Sequence, residues 1–202
     1  MPTLIPARVI DPAQLLIPGR VVALNAPDTL VHPRVIQSLA IRTRRGEHVG
    51  VIIGHNRFAL HTFTRLAHDH GGNPASLLDR IELSRAFTCY QLHRRVLTLN
   101  ASAVRRWRAL YVLGLLDTFY DESVKPHEAA RLLNETLAQL KRIARTGLSV
   151  LITLSPPRES GRENFSQLVA RAVDEYWELA VPIPHNAAPR QPALPLFGQS
   201  DS

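Results

Sequence analysis

The chain of 202 residues is short of cysteine and of long apolar runs, and each shortage excludes a class of protein. Its single cysteine, Cys89, can form no internal disulfide and offers no cysteine-based metal set. No apolar run approaches the roughly 20 residues that cross a bilayer. Residues 1–11 lack the basic-then-apolar layout of a signal peptide. We therefore expect a cytoplasmic protein that makes no contact with a membrane.

Lysine is also scarce, because Lys125 and Lys141 are the only lysines among 24 basic residues. Against 17 acidic residues the formal net charge is +7. Arginine presents a planar fork that suits phosphate, so DNA is a candidate partner. An Arg-for-Lys bias set by genome composition would explain the same numbers, and both interpretations stay open.

Continuous apolar segments alternate with amphipathic ones along most of the chain. The apolar segments predict strands at residues 21–24, 49–53, 81–83, 109–116, 149–154 and 176–181. The amphipathic segments predict helices at residues 33–43, 59–70, 74–78, 88–98, 127–146 and 165–174. This alternation predicts an α/β fold, a three-layer αβα sandwich with a mostly parallel central sheet. Ligands of such sheets bind at the carboxyl ends of the strands.

Composition divides the chain into three parts. Residues 1–18 are rich in proline and predict an extended lead-in. Residues 19–181 carry the alternating pattern and form the core. Residues 182–202 turn to Pro, Ala and Asn, which predicts a disordered tail.

A stretch in the middle of the core resembles a known family. Residues 77–91 read LLDRIELSRAFTCYQ, which resembles a signature of the RadA-type branch of RecA recombinases. Residues 111–119 resemble the Walker B strand of that family, with Asp117 at the acidic position, and residues 133–153 resemble the helix and strand that follow. The resemblance covers about residues 11–181. It implies a RecA-like core with a nucleotide site at the carboxyl ends of the strands.

The phosphate-binding part of that site departs from the family's pattern. A Walker A loop needs glycines, a lysine for the phosphates and a hydroxyl for Mg²⁺. Residues 25–33 read NAPDTLVHP, with no glycine and no lysine. The prolines remove backbone donors, and an aspartate places negative charge where phosphate would lie. We predict a pseudo-ATPase without catalytic residues, ATP or Mg²⁺, whose degenerate nucleotide site comprises Asn25, Asp28, Thr29 and Asp117.

Two further family residues are missing. Residues 54–58 read GHNRF, without the glutamate that activates water, and residues 153–156 read TLSP, without the glutamine that links nucleotide state to DNA binding. Asp117 survives, although an acid at a strand end can equally cap the next turn. The histidines have no carboxylate partner at a known ligand spacing, so we expect no metal site.

Arginines suggest two surfaces for nucleic acid. The DNA-binding loops of the family correspond to residues 121–127, which are acidic, and 156–164, which keep Arg158 and Arg162. A second cluster is another candidate surface for nucleic acid, and the alternative is that it is a solvated helix face. It comprises Arg94, Arg95, Arg105, Arg106 and Arg108.

Apolar residues stand out in the tail. The segment QPALPLFG at residues 191–198 resembles the short peptides by which replication and repair proteins bind sliding clamps. The contact residues would be Gln191, Leu194, Leu196 and Phe197. The alternative is that this segment folds back onto the surface of the domain.

These features favour a non-catalytic RecA/RadA-like accessory protein of DNA recombination or repair. Its expected partners are a recombinase or a polymerase-type repair protein, with a sliding clamp and DNA as further candidates. One alternative is an ATPase whose site is completed by a partner subunit, in which Asp117, Thr29 and Arg85 would act. Another is a RecA-like regulator without a role on DNA.

Overall fold

The computed structural model describes residues 3–6, 15–54, 58–69, 71–155, 162 and 164–180. The strands are β1 Thr3–Pro6, β2 Val21–Asn25, β3 His48–Ile53, β4 Ile81–Arg85, β5 Trp107–Leu113, β6 Ser149–Leu154 and β7 Glu175–Ala180. The α-helices are α1 Asp28–Arg44, α2 Leu60–Asp69, α3 Pro74–Leu78, α4 Cys89–Leu97, α5 Ala101–Arg106, α6 Pro126–Ala144 and α7 Asn164–Ala172. A 3₁₀ helix at Leu115–Thr118 follows β5.

The strands form one seven-stranded sheet in the order β1-β7-β2-β6-β5-β3-β4. Every neighbouring pair in this sheet is parallel. The helices between the strands therefore begin near the carboxyl ends of the strands and end near their amino ends. We call these two ends of the sheet the carboxyl edge and the amino edge.

Two apolar cores lie on the two faces of the sheet. Alternate residues of one strand point to opposite faces, so that Val21 and Ala23 of β2 join one core, and Val22 and Leu24 join the other. The first core is completed by helices α4, α6 and α7, and the second by α1, α2 and α3. The predicted α/β three-layer sandwich is confirmed, and its described strands are parallel throughout.

The described part of the amino-terminal segment belongs to the core. Leu15 and Leu16 are buried among the side chains of the α1 face. Strand β1 pairs with β7 at one edge of the sheet. The packed domain therefore includes residues that the sequence assigns to the extended lead-in. The predicted tail at residues 182–202 lies outside the described residues.

Candidate functional site

The connection from β2 to α1 occupies the place where the resemblance puts the phosphate-binding loop. It consists of Ala26 and Pro27 alone, because β2 ends at Asn25 and α1 begins at Asp28. A Walker A pattern spans about eight residues, whose backbone N–H groups surround a phosphate. Proline has no N–H, and the N–H of Ala26 donates to the carbonyl oxygen of Leu154, at 3.2 Å. This connection provides no cradle for a phosphate.

Asn25, at the end of β2, turns towards β7 instead. Its amide Nδ2 donates to Oε1 of Glu178 at 3.4 Å. Burial, together with the nearby Glu178 carboxylate, raises the pKa of Tyr176 to about 12, and the amide of Asn25 partly offsets this rise. These three side chains line an open groove of about 530 Å³ between α7 and β7. Thr29 is exposed at the start of α1, and Asp28 occupies the first position of that helix.

Asp117 lies in the 3₁₀ helix after β5, at the same carboxyl edge as Asn25. Only β6 separates β2 from β5 in the sheet. Gly114 makes the turn out of β5 with a left-handed backbone, φ 64°, that favours glycine. Asn25 and Asp117 therefore lie at the carboxyl ends of two strands, β2 and β5, that have one strand between them. The short Ala26–Pro27 connection leaves the sheet at the same edge.

Thr153, in the segment 153–156 where the resemblance leads one to expect a glutamine, has a structural contact. The N–H of Gly114 donates to Oγ1 of Thr153 at 2.9 Å, and this bond is buried. Gly54, at the end of β3, approaches the same turn so closely that an added Cβ would lie 2.5 Å from the carbonyl oxygen of Gly114. Thr153 and Gly54 therefore hold the turn after β5 in place. Residues 55–57, next to the expected position of the missing glutamate, lie outside the described residues.

The arginines predicted to contact nucleic acid separate into two groups. One group is exposed at the amino edge, at the ends of α4 and α5 and the start of β5; it comprises Arg94, Arg95, Arg105, Arg106 and Arg108. Of these, Arg106 pairs with Glu82 at 3.2 Å. The structure brings this group to the edge opposite Asn25 and Asp117.

Arg162 is buried, with 8% of its surface exposed. Its guanidinium donates to the carbonyl oxygens of Phe119 and Val124 and lies 5.9 Å from the ring centroid of Phe165. This geometry joins the segment before α6 to the start of α7, which is a structural role. Arg158 and the tail residues Gln191, Leu194, Leu196 and Phe197 lie outside the described residues.

Two exposed aromatic side chains form a feature that the sequence alone does not single out. Phe87, after β4, and Tyr90, in the first turn of α4, are 68% and 46% exposed. The turn that carries Phe87 is fixed, because its N–H donates to Oε1 of Gln91 at 2.8 Å and Thr88 caps α4. We call these two residues the β4 patch. Both lie within residues 77–91, and the sequence signal that could have found them is their position outside the apolar faces predicted for the strand and the helix.

Neither a metal site nor a membrane-spanning helix is found among the described residues. Among the described residues, no group of three or more His, Cys, Asp or Glu side chains could hold a metal ion. None of the described helices has both the length and the apolar character needed to cross a bilayer. Cys89 is buried, which raises the pKa of its thiol.

No protein-family model matches the chain, and no curated protein matches it.

Proposed function

We propose that this protein is a non-catalytic RecA/RadA-like accessory protein of DNA recombination or repair. The observation that carries the proposal is the two-residue connection from β2 to α1. A triphosphate bound across β2 and β5 would need donors from this connection and an acid at Asp117. The acid is present and the donors are absent, so the protein acts through contacts with partners rather than by turning over ATP.

The β4 patch supports a protein partner. Apolar and aromatic side chains that stay exposed on a rigid turn are typical of contact surfaces, because their burial needs little further ordering. Phe87 is held in that way by Gln91. Strand β4 also ends the sheet, so its outer backbone edge has no neighbour among the described strands. We propose that a recombinase or a repair polymerase docks on this patch.

Binding of purified partners tests the proposal. The protein is immobilised, and a recombinase, a repair polymerase and a sliding clamp from the same source are passed over it. We expect Phe87→Asp to weaken binding to one of the first two by about 10-fold or more, since central aromatic residues dominate such interfaces. Leu60→Asp, at a side chain 51% exposed on α2, is the matched control and should leave binding unchanged.

Two results would contradict this assignment. Either the wild-type protein binds none of the three, or the Leu60 variant loses as much binding as the Phe87 variant. A truncation that lacks residues 182–202 separates the tail from the core in the same assay. Equal clamp binding by the truncated and full-length proteins would remove the clamp from the list of partners.

A further inference from the structure

The charged side chains of this protein are distributed unevenly between the two edges of the sheet. Arginines collect where the helices end, at the amino edge. The last turn of α1 carries Arg42 and Arg44, and the last turn of α6 carries Lys141 and Arg142. Since both helices end beside the strands they lead into, these residues share one edge.

The same edge continues across α4, α5 and the start of β5. Arg95 lies in the last turn of α4, and Arg105 lies in α5. Arg108 lies where the pairing of β3 with β5 shifts register, and it is exposed although both of its neighbours are buried. A cleft of about 260 Å³ connects this region with Arg80, ahead of β4.

Four acidic residues at the amino edge are paired with cations, while Asp79, beside Arg80 in the cleft, makes no ion pair with the described residues. Glu47 pairs with Arg42 at 2.6 Å, and Glu82 pairs with Arg106. The other two pairs on this side are Arg20–Glu175 and Lys141–Asp174. Arg105 and Arg108 make no ion pair with any carboxylate of the described residues. The edge therefore keeps an excess of positive charge.

Helix dipoles explain only part of this arrangement. A cation in the last turn of a helix interacts favourably with the dipole, but Arg20, Arg80 and Arg108 lie outside any helix. The carboxyl edge carries acidic residues as well: Asp121 and Glu122 lie between the 3₁₀ helix and α6, and Glu128 lies in the first turn of α6. The excess positive charge is therefore concentrated at the amino edge, at the opposite end of the strands from Asn25 and Asp117.

We propose that the amino edge binds the phosphate backbone of duplex DNA without reading its sequence. Seven strands about 4.8 Å apart give an edge of roughly 29 Å, which matches about eight base pairs of duplex. The basic residues are arginines almost throughout, and guanidinium groups bind phosphate through paired hydrogen bonds. The choice of DNA among polyanions rests on the proposed function.

The chemistry of this edge fits nucleic acid better than a lipid surface. Binding to a bilayer interface requires apolar side chains that insert among the acyl chains. Leu97, 42% exposed, is the only large apolar side chain exposed at this edge in the described part of the chain. An edge of arginines without such anchors is typical of phosphate-backbone contacts.

Charge reversal on the full chain tests this inference. Binding of a labelled duplex of about 20 base pairs is measured by fluorescence anisotropy between about 50 and 200 mM salt. We expect salt-dependent binding that Arg105→Glu/Arg108→Glu weakens by about 10-fold or more, with a shallower dependence on salt. The control, Arg85→Glu/Lys125→Glu, changes the net charge equally at exposed residues of the carboxyl edge, and should weaken binding less than about 3-fold.

Three results would overturn the inference: no binding at low salt, equal weakening by both double variants, or binding to vesicles of anionic lipid without binding to the duplex. Thermal melting of each variant shows whether it is folded. Failure of this inference is distinguishable from failure of the proposed function, because the partner assay with Phe87→Asp does not involve the amino edge. If the protein binds its partner but does not bind the duplex, only the proposed DNA-binding role of the amino edge is rejected.

Discussion

At the scale of single residues, one polar pair lies inside the apolar core between α1 and β5. Tyr111 is completely buried, and its hydroxyl lies 2.9 Å from Oγ of Ser38. Burial raises the pKa of Tyr111 well above its ordinary value, so the phenol stays neutral at physiological pH. A buried hydroxyl needs a partner, because an unsatisfied one costs free energy. Sequence periodicity places both residues in a helix and a strand but does not pair them.

We expect Ser38→Ala to lower the free energy of unfolding by about 1–3 kcal/mol, because it leaves the Tyr111 hydroxyl short of a partner. Urea unfolding at neutral pH measures this difference. The double variant Ser38→Ala/Tyr111→Phe should lose less than the sum of the two single variants, since it removes both members of the pair. Strictly additive losses would show that the two hydroxyls do not interact.

At the scale of elements, apolar runs locate the strands better than they locate the strand ends. Strand β6 and helix α3 lie at the predicted residues. The strand predicted at residues 109–116 begins earlier, at Trp107, and ends at Leu113, because Gly114 turns the chain into a 3₁₀ helix. Leu115 and Leu116 are buried in that helix. A buried turn and a buried strand have the same apolar signature, so the sequence pattern extends one into the other.

Two elements were missed for different physical reasons. Strand β1 has four residues and is defined by its pairing with β7, a contact that no local pattern reports. Helix α5 has six residues, of which Val104 is buried in the α6-side core, and this is too short for a helical period to appear. Helix α1 also begins at Asp28 rather than at Pro33, so Pro33 lies inside it. The prediction that Pro33 marks the start of this helix is therefore wrong.

The segment between the 3₁₀ helix and α6 depends on one buried cation. We expect Arg162→Met to lower the free energy of unfolding by about 1.5–3 kcal/mol, because the carbonyl groups of Phe119 and Val124 lose charged donors. Denaturant unfolding checks this value. Arg171→Met, at an exposed arginine of α7, is the control and should change stability by less than about 0.5 kcal/mol. Equal effects of the two substitutions would show that the Arg162 contacts contribute no more to the free energy of unfolding than an exposed arginine does.

At the scale of the whole molecule, the two edges of the sheet are separate surfaces. The absence of a phosphate-binding loop after β2 could be predicted from the sequence, because such a loop is a local motif and residues 25–33 contain neither glycine nor lysine. The basic amino edge as a whole could not be predicted from the sequence, since residues as distant in sequence as Arg42 and Arg108 come to the same edge only through the order of the strands. The structural role of Arg162 also depends on tertiary contacts.

We predict that the connection from β2 to α1 does not hold a triphosphate. Calorimetric titration of the full chain with ATP in the presence of Mg²⁺ tests it most directly. We predict no heat of binding at millimolar nucleotide, since Ala26 and Pro27 supply no free donors for phosphate. Binding at micromolar nucleotide would contradict this claim and would make an ATPase with an atypical site the better description of the protein.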